Sequence, residues 1–159
     1  MVMKTTHEAL QEVQKVMVRD DFELVLPAAM LIRMVYDATE HATWMHPVPS
    51  QYDNTPDTVL RSVLTYCYAT GIFSSADIEA AARHDPVIHY LCANHLPRWQ
   101  TIRDFRRRNM PGLKLAIGNL LYLAARCIQR DDLFWHEHQS EADRRLSRAI
   151  QADSYALDV

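Results

Sequence analysis

At 159 residues the chain is long enough to bury a core of its own, and 48% apolar with 23% charged residues excludes a disordered polypeptide. No apolar run is long enough to cross a bilayer and the opening MVMKTTHEALQEVQ has no leader-like apolar stretch, so a cytoplasmic protein is expected. Cys67, Cys92 and Cys127 are odd in number and scattered, which argues against a disulfide framework, and the net charge of −3 conceals a strong segregation taken up below.

The elements read as helices in succession. Thr5 with Glu8 makes a capping-box pattern, and Leu10, Val13 and Met17 follow at helical spacing, predicting a helix over 6–19. Phe22, Leu24, Val25 and Leu26 form an apolar connector able to dock extended on the core. Pro27 opens a second helix with Met30, Leu31, Met34, Val35 and Ala38 on one face. Residues 41–55 are expected to be irregular, since Pro47 and Pro49 forbid a regular helix. Thr55 is expected to cap a helix opening at Pro56, striped by Val59, Leu60, Val63, Leu64 and Cys67 and ended by Gly71. Ser74 or Ser75 caps the next, short helix. Asp85-Pro86 starts another, with Val87, Ile88, Tyr90 and Leu91 as its apolar residues.

After Pro97, Trp99, Ile102 and Phe105 recur on one side of a helix over 98–109, with Thr101 near its start as a cap. Pro111 begins a long helix to about Arg130, carrying Leu113, Ile117, Leu120, Leu121, Ala124 and Ile128. Gly118 inside it signals close helix–helix approach. Ser140 caps a last helix with Leu146 and Ile150 inward. No strand alternation is read anywhere, so the fold class expected is all-α, one compact multi-helix bundle over 1–159.

Charge is distributed in blocks. Residues 1–97 hold six Lys/Arg against twelve Asp/Glu, and residues 131–159 hold three against seven. Residues 98–130 between them hold eight basic residues against Asp104 alone. That block is a local electrostatic footprint for a polyanion. Arg98, Arg103, Arg106, Arg107, Arg108 and Lys114 are the candidate DNA contacts, because guanidinium groups bind phosphate and read guanine edges. The segments 75–83, 86–92 and 98–109 would form a helix-turn-helix-like tri-helical unit with the last as recognition helix. From the residues alone, these arginines suit a solvated face or pairing with the acidic N-terminal half better than DNA contact. Trp99 is expected in the core.

No metal or cofactor is expected. His84 and His89 are separated by Pro86, His136 and His138 point to different helix faces, and His41, His46 and His95 have no cysteine partner at ligand spacing. No nucleophile–base set or glycine-rich phosphate loop is visible, so no small-molecule substrate is expected.

Two patterns carry a family resemblance. Tyr68, Gly71, Ile72, Ser74, Ser75, Ile78 and Glu79 match a Tyr-x-x-Gly-Ile-x-Ser-Ser-x-x-Ile-Glu signature. Pro97, Thr101, Ile102, Phe105 and Arg106 match Pro-x-x-x-Thr-Ile-x-x-Phe-Arg. With Phe22–Pro27, Leu31-Ile32-Arg33, Tyr52 and the Pro56–Tyr68 segment before them, the region of about 20–109 resembles the N-terminal domain of bacterial insertion-sequence transposases, the transposase InsH N-terminal domain family. The chain departs from that pattern at Ala76, where the family has arginine, at Arg98, where it has aspartate, and in lacking a Gly-Arg-Pro before Pro56.

The resemblance implies a DNA-binding domain that engages terminal inverted repeats or regulates transposition, with duplex DNA as partner and a homodimer or full-length transposase as a further partner. It implies a nucleoid-associated location. In the family a metal-dependent Asp-Asp-Glu core follows this domain. Residues 110–159 read as a divergent helical extension instead, and Asp131, Asp132, Asp143, Asp153 and Asp158 are not spaced as a metal set, so no nuclease or strand-transfer activity is expected. The alternative is a protein–protein interaction module that has lost DNA binding, for which Ala76, Arg98 and the acidic flanks speak.

Overall fold

The computed structural model describes residues 6–19, 22–47, 51–52, 55–127 and 135–157. The first helix, α1 (Thr6–Gln11), stops well before Arg19. Val13–Arg19 is a strand instead, β1, paired antiparallel with β2 (Phe22–Pro27), Val16 lying opposite Leu24 and Gln14 opposite Leu26. This corrects the reading of a chain without strands. Val16, Val18, Leu24 and Leu26 are buried while Lys15, Glu23 and Val25 face out, a period of two. Branched valines suit a half-buried pleated face better than a further helical turn. Of the predicted capping pair, Thr5 lies outside the described residues.

α2 (Ala28–Met45) runs well into the stretch expected to be irregular, ending just ahead of Pro47. Leu31, Ile32, Val35, Ala38 and Ala42 are its buried face, and Met30, expected inward, is 44% exposed. Gln51–Tyr52 (β3) pairs with Thr55–Pro56 (β4). Thr55 therefore belongs to a short ladder and does not cap the helix that follows. Pro56 takes that position with extended backbone, and no side chain caps it.

α3 (Asp57–Thr70) is the centre of the molecule. Every residue from Leu60 to Ala69 is buried, against α2, α5, α6, α7, α8 and β1. The one-sided stripe expected of it is therefore a buried cylinder, with Val59 only half-buried. Arg61 is 1% exposed and donates to Thr43 Oγ1 (3.2 Å) and the His46 carbonyl (3.1 Å). Gly112 leaves room for it, since a Cβ there would lie 2.5 Å from Arg61 Nη2. Gly71 ends α3 in the left-handed conformation, φ 97°.

α4 (Ser75–His84) is capped by Ser74, whose Oγ accepts from Asp77 N at 3.0 Å. Asp85 caps α5 (Pro86–Leu91) through Val87 N and Ile88 N, with Pro86 in the first turn, while Tyr90 is 44% exposed and not in the core. Ala93 and Asn94 follow with φ of 49° and 68°. An alanine there carries left-handed strain, so Ala93→Gly should raise the urea midpoint, by about 0.5 to 1 kcal/mol after glycine's entropy is subtracted.

α6 (Trp99–Arg108), α7 (Met110–Arg126) and α8 (Trp135–Leu157) complete the bundle. α7 packs on α2, α3 and α8, and Leu113, Ile117, Leu120, Leu121 and Ala124 join the common core, so residues after Asn109 are integral to the fold. Ile128 lies outside the described residues. Gly118 does mark a close approach, against the Gln139 amide of α8. Ser140 sits inside α8 and caps nothing, because that helix begins at Trp135; Leu146 is buried, but Ile150 is 44% exposed. Among the described residues, eight helices and two antiparallel strand pairs thus give the mostly helical fold the sequence implied.

Candidate nucleic-acid interface

α6 positions the basic residues. Its inner side buries Thr101, Ile102, Phe105 and Arg106, which recur at three- and four-residue spacing. Glu79 of α4 accepts from Trp99 N at 3.3 Å and so holds the helix start, where no side chain of α6 itself is a cap. Thr101 is in the first turn and buried rather than at the capping position, and Trp99 is half-buried rather than fully in the core.

The opposite side carries Gln100, Arg103 and Arg107 at i, i+3 and i+7, which brings them onto one face. Gln100 and Arg107 are exposed and Arg103 is half-buried. Arg98 precedes the helix, exposed, and Arg108 is exposed in its last turn. Arg98, Arg103 and Arg107 make no ion pair with any other described residue. Gln100 escaped the charge-based reading; its signal is the shared helix face. Asp104 is exposed and falls four residues after Gln100, on the same side of the helix.

Arg106 is not part of it. Only 2% exposed, it points inward and pairs with Asp153 of α8, Nη1 to Oδ2 at 2.6 Å. The same Nη1 donates to Ser75 Oγ (3.4 Å) and Tyr68 OH (3.5 Å). Asp153 in turn accepts from Ser75 N and Ser75 Oγ, both at 2.7 Å, which seats a carboxylate on the N-terminus of α4. Burial opposes the Arg106 charge, but Tyr68 and Asp153 outweigh it and hold the guanidinium above its ordinary range. Burial also pushes the Tyr68 phenol up to about 12, although Arg106 pulls the other way. Tyr68, Ser75 and Arg106 are signature residues from both motifs, and the fold makes them one buried node.

A second buried pair lies beside it. Arg145 Nε donates to Glu141 Oε1 at 3.1 Å, and Arg145 Nη1 donates to the Tyr68 and Ala69 carbonyls, both at 3.0 Å, closing the end of α3. Lys114 of α7 stands 2.9 Å from Asp143 of α8, so its charge is compensated on the surface. Asp143 and Asp153 are thus ion-pair partners, while Asp131, Asp132 and Asp158 lie outside the described residues. His41 Nδ1 is 2.9 Å from Asn119 Nδ2 and His89 Nδ1 3.0 Å from the Ala82 carbonyl, which gives both rings structural partners.

α4 packs against both α5 and α6. Residues 92–98 join α5 to α6, a connection longer than the turn of about three to four residues in a helix-turn-helix. No family model matches the chain, and no curated protein or solved structure matches it either.

Proposed function

We propose that this protein is a non-catalytic, transposase-derived DNA-binding module, with α6 as the element that enters or tracks the duplex. Arg98, Arg103, Arg107 and Arg108 contact phosphate or guanine edges and Gln100 reads adenine. Its targets are terminal inverted repeats, its role occupancy of those ends or regulation of transposition, and its location the nucleoid. α4, α5 and α6 serve as the tri-helical unit. The observation that carries the reading is the i, i+3, i+7 face of Gln100, Arg103 and Arg107, whose arginines make no ion pair with any other described residue. The resemblance of the two signatures supports it. Fluorescence anisotropy of a labelled duplex across a salt series is the test. Log affinity should fall linearly with log salt, and absence of binding at low salt defeats the proposal.

Self-association with a second copy or a full-length transposase is the second reading. It draws on Trp44 and Met45, which are 82% and 62% exposed at the end of α2. Light scattering separates the two: a stable dimer without DNA affinity favours self-association.

A further inference from the structure

The groove between α2 and α3 has no part in the DNA reading. It encloses about 430 Å3, is open to solvent and is walled mostly by carbon, dimensions that suit a small ligand. One wall is a column on α2. Tyr36, Glu40 and Trp44 follow at i, i+4 and i+8, which sets them one above another on a single helix face. Tyr36 is 43% and Trp44 82% exposed, a large indole surface left in water.

Glu40 stands between the two rings. It is exposed, pairs with no other described residue, and is the one charged side chain among the described residues that line the groove. The facing wall is Val59 and Ser62 of α3. At the floor the Thr39 hydroxyl donates to the Val35 carbonyl at 2.8 Å and lies 3.5 Å from Ser62 Oγ, so the hydroxyls there are already satisfied. Ala93, held at φ 49°, is also part of the lining. Strain kept at a groove wall is the kind of feature that accompanies binding sites.

We propose that this groove binds an organic ammonium ion on an aliphatic stem. An aromatic face, Tyr36 or Trp44, attracts a cation, Glu40 one helical turn from either ring supplies the counter-charge, and Val59 receives the stem. An anion meets Glu40 and is repelled; a neutral ligand gains no charge attraction from it. Two sources share this chemistry, a free polyamine and a lysine side chain presented by another protein.

Isothermal titration calorimetry on the intact protein tests the proposal with tetramethylammonium, n-butylammonium, spermidine and Nα-acetyl-lysine methylamide, with tert-butanol as the neutral control. Saturable binding of the ammonium compounds and none of tert-butanol is expected. Glu40→Gln and Trp44→Ala should each weaken binding about tenfold. Both positions are exposed, and an unchanged circular dichroism spectrum confirms that the variants are folded. Spermidine binding more tightly than the lysine derivative assigns a polyamine; the reverse order assigns a lysine-bearing protein. Equal binding of tert-butanol, no effect of Glu40→Gln, or no saturable heat with any ammonium compound overturns the proposal.

Discussion

Replacing Asp153 by alanine should cost about 3–5 kcal/mol of folding stability, the loss typical when one partner of a buried ion pair is removed. Against a total of about 5–15 kcal/mol for a domain of this kind, that is enough to unfold much of the protein near 37 °C. The loss has three parts. Arg106 keeps its charge at 2% exposure without its Asp153 partner, and among the described residues its Nε has no hydrogen-bond partner even in the intact node. Ser75 N and Oγ both lose their acceptor. The N-terminus of α4 loses a compensating negative charge. Arg106→Ala should cost a similar amount, and the double variant less than the sum of the two, because the residues share one network. Arg106→Met with Asp153→Leu should recover most of the stability, since a packed apolar pair needs no desolvation of ions. Urea denaturation of the four variants measures each term.

The same node sets an alkaline limit. Folding raises the Tyr68 phenol from the ordinary 10.0 to about 12 through burial. Between those values the unfolded chain gives up a proton that the folded chain retains, so the folded state loses stability as pH rises through that window. Below the ordinary tyrosine value the contribution is fully present. The decline should be shallower in Tyr68→Phe.

Local chemistry was legible in the sequence where a single residue type decides the backbone. Gly71 in the left-handed position, Ser74 and Asp85 as caps and Pro86 in a first turn all stand where composition put them. The hairpin is not legible in sequence because Leu10, Val13 and Met17 also fit a helical period. Only the pairing of Val16 with Leu24 across the turn decides between the two, and that contact is between strands. α3 shows a single apolar stripe in sequence because Arg61, Ser62 and Thr65 have the chemistry of solvent-facing residues. Arg61 is buried between the C-terminal end of α2 and Gly112 of α7, and Ser62 against Thr39 of α2, which no periodicity within α3 reveals. Arg106 is hidden for a related reason. It lies four residues after Ile102, on the edge of the apolar stripe, so its inward position was readable; its partner on α8 was not.

Removing Arg103 and Arg107 should weaken duplex binding through two separable quantities. Each arginine that neutralises one phosphate contributes about 0.9 to the slope of log affinity against log salt, so the double alanine variant should flatten the slope by nearly two. If either instead reads a guanine edge, its single variant loses about 1–3 kcal/mol at the preferred sequence and much less elsewhere. Comparing a preferred with a scrambled duplex distinguishes these roles. Gln100→Ala should lower affinity only on the preferred duplex, since a neutral amide releases no counterion. Asp104→Asn should tighten binding on both, by removing the acid beside the face. Lys114→Ala should change little, because Asp143 already compensates that charge at 2.9 Å. Arg106 provides the internal control: its charge is spent on Asp153, so Arg106 variants lose binding only as they lose folded protein, with the salt slope of the folded fraction unchanged. A double Arg103/Arg107 variant that stays folded and keeps the wild-type slope would falsify the assignment of α6 as the DNA-facing helix.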